Sequence, residues 1–268
     1  MILPMLVAPP AACQVVRDLP QQLEGVSVTE RAGEWLPLDL EFVDETGRGV
    51  RLGQYFAGER PVILVLGYYK CPMLCGLVHS GLVQSLGELS WTVGEQFDVV
   101  SVSINPLETP SLAALKKQSY VEEYGRAESA AGWHFLTGRE ADIRALADAV
   151  GFGYRWIEER GEYAHQAVIF VASPRGKLTR YLYGVRFDPS TVKLSLIEAA
   201  EGKIGSPLDR VVLFCFHYDA AEGRYTVAVM NLLRAGGGLT VVALGLFLAT
   251  FWLRERGLRR RPTEGPAR

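Results

Sequence analysis

The chain has 268 residues, 49% of them hydrophobic and 22% charged, with 28 basic and 30 acidic side chains and a formal net charge of -2. That length holds one large domain or two small ones, with ample chain for a buried core. The near-balance of charge excludes the concentrated basic face that nucleic-acid binding requires.

Met1 to Ala12 is apolar with small residues near its end, like the tail of a secretory signal. It lacks a basic leading region and is broken by Pro4, Pro9 and Pro10, so residues 1–13 are expected to be a truncated signal segment. Cys13, after Ala11 and Ala12, resembles a lipoprotein cleavage site, although Pro10 stands where an aliphatic residue belongs. Residues 14–204 read as one α/β domain. A linker leads to a hairpin, in which Leu38 to Phe42 alternates and Asp44 to Gly49 supplies the turn.

Pro61 to Gly67 is a continuous aliphatic run, as suits a strand buried on both faces of a sheet. Met73 to Leu89 then carries Leu74, Leu77, Val78, Leu82, Leu86 and Leu89 at helical spacing. A second aliphatic run, Phe97 to Ile104, precedes a helical stretch from Thr109 to Tyr124, and Trp133 to Leu136 is a short strand. Arg139 to Val150 is helical and stops at Gly151 and Gly153. Ala167 to Ala172 and Leu178 to Tyr183 flank Ser173-Pro174-Arg175-Gly176 as an antiparallel hairpin, and Ser190 to Ala200 closes the domain as a helix. Strands alternating with helices, then a terminal hairpin and helix, follow the order of a thioredoxin fold.

Residues 205–234 form a strand-rich extension turning at Ala220 to Gly223. Ala235 to Leu253 carries no charge and meets the roughly 20 apolar residues that a bilayer-spanning helix needs. Trp252 sits at its far end, and Arg254, Arg256, Arg259, Arg260 and Arg261 follow. The expectation is a transmembrane helix over 235–253, a basic cytoplasmic tail over 254–268, and a globular domain on the periplasmic face of a bacterial-type inner membrane.

Of the cysteines Cys13, Cys71, Cys75 and Cys215, only Cys71 and Cys75 are close, at the junction of the first buried strand and the first helix. A helix N-terminus stabilises a thiolate, and Pro72 suits the first helical turn. Three chemistries are open to the pair: a structural disulfide, a redox dithiol, or two ligands of a soft metal completed by an imidazole. A disulfide closing so short a loop contributes little chain entropy. The usual redox spacing has two intervening residues, and this has three. Thiolates with one histidine suit copper in its reduced state, whereas structural zinc wants four protein ligands.

His165 is the best third ligand, because it opens the hairpin strand on the loop that faces the cysteine-bearing helix start in a thioredoxin fold. His79 is read as a polar residue on the helix face, and His134, between Trp133 and Phe135, as a core histidine. Cys215 and His217 lie two apart, on one face of a strand, as an accessory metal pair or, more simply, a packed cysteine beside a surface histidine.

CPMLC at 71–75, SVSINPLETP at 101–110, GWHFLTG at 132–138, and His165 ahead of a hairpin strand occur in one order that resembles the SCO/SenC family, the copper-binding assembly factors of cytochrome c oxidase. The resemblance spans about Leu36 to Ala200. It implies a thioredoxin-like domain and copper held by Cys71, Cys75 and His165. It further implies a copper donor protein upstream and delivery to the dinuclear copper centre of an oxidase subunit. The alternative is a membrane-anchored thiol–disulfide oxidoreductase or redox sensor using Cys71 and Cys75 without metal. Two features depart from the family pattern. Asn105 stands where many members carry aspartate, and the expected anchor is C-terminal rather than N-terminal.

Overall fold

The aliphatic run after Pro61 forms β3 (Val62–Gly67), and every residue of it is buried. Val62, Leu64 and Leu66 point into one core, and Ile63 and Val65 into another. This two-faced burial is what an uninterrupted aliphatic run predicts. The computed structural model describes residues 25–56, 58, 60–71, 74–200, 216–219, 224–227, 237–250 and 252. Among these, a seven-stranded sheet is built around β3. On one side, β3 pairs in parallel with β4 (Asp98–Ser103), and β4 in parallel with β5 (Trp133–Gly138). Beyond β5 lie the antiparallel β1 (Glu41–Val43) and β2 (Gly49–Arg51). On the other side, β8 (Val168–Ala172) and β9 (Leu178–Tyr183) add on antiparallel.

Helices α1 (Leu74–Gly87), α2 (Pro110–Tyr124) and α4 (Pro189–Ala199) cover one face, and α3 (Glu140–Ala149) the other. The architecture is thioredoxin-like. Local chemistry fixes the helix ends. Thr109 accepts from the Leu112 N–H as N-cap, Pro110 fills the first turn, and Gly125 stops α2 in the left-handed conformation at φ 73°. Asp188 and Pro189 start α4 in the same way.

A second, two-stranded sheet of β6 (Tyr154–Ile157) and β7 (Glu162–His165) was not expected. His165 therefore ends β7 instead of opening the next strand, and it pairs with Tyr154. Farther on, β10 (Phe216–Asp219) and β11 (Arg224–Val227) form an antiparallel hairpin that contains His217. Cys13, Cys215, the signal segment and the arginine tail lie outside the described residues.

The transmembrane helix expected over 235–253 is corrected by the structure. No helix among the described residues is long and apolar enough to cross a membrane. Among the described residues the helix there covers 237–250 and 252, and 237–250 at a rise of about 1.5 Å per residue accounts for about 21 Å of a hydrocarbon core about 30 Å thick. Gly237, Gly238 and Gly245 lie in this helix, and glycine in a helix interior is less favourable than alanine by about 1 kcal/mol. An uncharged run of bilayer length does not by itself make a spanning helix.

Two positions generate tests. A Cβ on Gly81 of α1 would lie 1.9 Å from the Val185 carbonyl oxygen, so the helix backbone packs directly on the β9–α4 connection. Alanine gains about 1 kcal/mol of helix propensity. Overpacking against rigid backbone costs about 1–3 kcal/mol or more. Gly81→Ala is expected to lose about 1–2 kcal/mol net in urea unfolding, and a gain would contradict the packing.

His134 stands in β5 with its ring 4.4 Å from that of Tyr55. Burial pushes its pKa down, opposed by Asp98 and Glu45 and reinforced by Lys117 and Arg60. The unfolded chain takes up this proton near pH 6.5 while the folded chain resists it. Below that pH the unfolded state thus binds more protons, and stability falls with acidification until the folded pKa is passed. His134→Gln should make the loss in urea midpoint between pH 7.5 and pH 5 shallower, and an unchanged slope would refute this assignment.

Candidate metal centre

Strands β3 and β4 stay paired through Gly67 and Ser103, and the Ile104 N–H still donates to the Gly67 carbonyl at 2.8 Å. Beyond that point the two chains part. The β3 chain crosses Tyr68, Tyr69 and Lys70 to reach Cys71 and then α1. Tyr68 and Tyr69 point to opposite sides. Tyr69 is buried, with its hydroxyl donating to the Leu136 carbonyl at 2.8 Å and the Ser101 carbonyl 3.0 Å away. Burial drives its phenol pKa well up. Tyr68 packs on the other side, in edge contact with Tyr163 at 5.5 Å between centroids.

Cys71 is half-buried, its N–H donates to the Tyr68 carbonyl at 3.3 Å, and it packs on the same core cluster as Tyr163. Three residues later α1 begins, so Cys71 lies just ahead of the partial positive charge at its N-terminus. Cys75 lies in the first turn of α1.

His165 reaches the same place from β7. It is 9% exposed, walled by Phe152 at 5.5 Å and Tyr68 at 6.4 Å between ring centroids. Its Nδ1 lies 2.9 Å from the Gln166 carbonyl oxygen. A carbonyl only accepts, so the proton sits on Nδ1 and the lone pair on Nε2, the arrangement that prepares an imidazole to ligate. Burial lowers the pKa of His165, while the Gln166 carbonyl and the charge of Cys71 push it back up. Cys71 donates its N–H to the Tyr68 carbonyl and the His165 ring lies in edge contact with the Tyr68 ring, so both residues sit against Tyr68. A neutral imidazole and a thiolate are both donors that suit a soft metal ion.

The other histidines lie elsewhere. His79, a turn beyond Cys75 on α1, is buried instead of forming a polar face. Its Nε2 is 2.9 Å from the Ser101 hydroxyl, and its ring stacks on Tyr120 at 4.9 Å. His134 faces Tyr55 on β5. Asn105 is turned into its own loop, its side-chain oxygen accepting from the Leu107 N–H at 3.0 Å.

Glu108 is a site residue that the spacing of chemical groups did not single out. It is buried, and its two carboxylate oxygens reach across to the cysteine loop. Oε2 accepts from the Tyr69 N–H at 2.7 Å and the Ser103 hydroxyl at 2.6 Å, and Oε1 accepts from the Lys70 N–H at 2.7 Å. Its charge also raises the pKa of Tyr163, after the larger effects of burial and Glu140. The one available signal was its place in Leu107-Glu108-Thr109-Pro110, just before a helix cap.

Solved structures of other proteins share this fold. Two solved structures from Aquifex aeolicus VF5 are each 26% identical, one a candidate electron transfer protein and one a candidate electron transport protein. The first covers 64% of this chain and 95% of its own, with TM-score 0.55. The second covers 64% and 99%, with TM-score 0.52. A SCO1/SenC family lipoprotein from Bacillus anthracis, 17% identical over 64% of this chain and 99% of its own, shares the fold at TM-score 0.51. Comparison with curated proteins yields no match. The signature of the SCO1/SenC family matches residues 31–199, which take in the sheet, Cys71, Cys75, Glu108 and His165, and the chain belongs to that family.

Proposed function

We propose that this chain binds one copper ion through Cys71, Cys75 and His165 and hands it to the copper-bearing subunit of a cytochrome c oxidase, for the subunit's dinuclear centre. The observation that supports this reading is that Cys71 and His165 both lie against Tyr68, with His165 Nδ1 turned to the Gln166 carbonyl. Thiolate and imidazole donors favour copper in its reduced state, and that ion accepts low coordination, so a donor set without a fourth protein ligand holds it. Sco proteins from Arabidopsis thaliana and Bradyrhizobium japonicum have been solved with copper bound. In this chain it is the donor set that points to the metal. On this reading the domain works on the extracytoplasmic side, receives copper from a donor protein, and passes it on by ligand exchange.

A second reading uses Cys71 and Cys75 as a redox pair. They would be oxidised to a disulfide as a disulfide of the oxidase subunit is reduced to two thiols. It is favoured by the two Aquifex relatives, which are described as candidate electron carriers. The two roles are compatible, since a metal-receiving site must hold thiols before it can accept the ion.

The full-length protein is expected to bind about one copper ion per chain, measured by metal analysis after gel filtration. Cys71→Ser and Cys75→Ser should each abolish stable binding, and His165→Ala should weaken it at least about tenfold, or about 1.4 kcal/mol. Full copper retention by Cys75→Ser would sink the copper reading. Turnover of an oxidase-subunit disulfide with indifference to copper would establish the redox reading instead.

A further inference from the structure

Where β3 and β4 part, the N–H groups of Tyr69 and Lys70 lose their strand partners, and the buried Tyr69 N–H in particular must find an acceptor elsewhere. The acceptor is one carboxylate, that of Glu108, which takes both. It also accepts from the Ser103 hydroxyl at the end of β4. Hydrogen bonds to an ionised acceptor are shorter and about twice as strong as neutral ones, and all three here are 2.7 Å or less. The clamp thus fixes the main chain immediately before Cys71 to the start of α2.

We propose that Glu108 is the positioning residue of the copper site, setting where the Cys71 sulfur stands relative to His165 by holding the Tyr69 and Lys70 amides. The proposal rests on the copper reading above. It also answers the question posed by Asn105. That side chain is spent on the Leu107 N–H, so the acid that this segment contributes to the site comes from Glu108. Glutamine cannot replace it. Two N–H donors approach the two carboxylate oxygens separately, and an amide would turn an NH2 group towards one of them. Aspartate keeps the charge but withdraws it by one methylene.

The test uses the full-length protein and competition for reduced copper against bicinchoninate. Glu108→Gln and Glu108→Asp are each expected to bind copper at least tenfold more weakly than the native chain. In the metal-free protein, Glu108→Gln should exchange the Tyr69 and Lys70 amide hydrogens at least tenfold faster. Glu45→Gln is the control. Its carboxylate is also largely buried, bonded to Lys117 and the Phe135 N–H in the β1–β5 region, and its loss should lower stability without changing copper affinity. Native affinity in both Glu108 variants would overturn the proposal. So would an equal loss in Glu45→Gln, which would reduce the effect to general stability. If the native chain itself binds no copper, the copper reading falls and takes the proposal with it. Native binding with unaltered Glu108 variants removes the proposal alone.

Discussion

The site depends on one constraint, the burial of β3 on both faces. With alternate residues locked into two cores, a one-residue slip of β3 would send each set of side chains into the core packed around the other. Its parallel pairing to β4 is set for the same reason, with Val65 opposite Ser101 and Gly67 opposite Ser103. The two chains must therefore separate at a fixed place. Each functional group is defined relative to that fork: Cys71 four residues beyond Gly67, Glu108 five beyond Ser103, and His165 on the hairpin that leads into β8, the antiparallel neighbour of β3.

Much of this was legible where local chemistry decides structure. The runs that became β3 and β4 could be read because two-faced burial leaves no polar position to interrupt them. Helix α2 could be read from Thr109 and Pro110 at its start and Gly125 at its end. The β6–β7 hairpin could not be read in this way. Tyr154-Arg155-Trp156-Ile157 and Glu162-Tyr163-Ala164-His165 are short, aromatic and only partly covered, so neither shows the clean alternation of a half-buried strand. For that reason topology puts His165 at the opening of the strand that follows, whereas it ends β7. In the C-terminal run, lack of charge predicts a membrane span that no helix among the described residues provides.

Glu108 marks a different boundary. A carboxylate in a loop carries no periodicity, and its partners are main-chain groups that any sequence would offer. Only the parting of two strands makes those groups needy, and that is a property of the fold. The histidines teach the same lesson from the other side. His79 and His165 are both nearly covered, yet one is bonded to a serine hydroxyl and sandwiched among aromatic rings, while the other is tied at Nδ1 to a carbonyl beside a thiol. Residue type and burial do not separate them. What the second nitrogen faces does.

Glu108 and Thr109 are neighbours with separate duties, one clamping the cysteine loop and the other capping α2. The length of the segment from Ile104 to Pro110 is therefore not free to drift, unlike that of an ordinary surface loop. One residue inserted between Glu108 and Thr109 would part clamp from cap, and one inserted before Glu108 would move both away from Ser103. Among relatives of this chain, changes of length in this segment should come with a relocated acid, whereas the turn between β6 and β7 can lengthen with no such compensation.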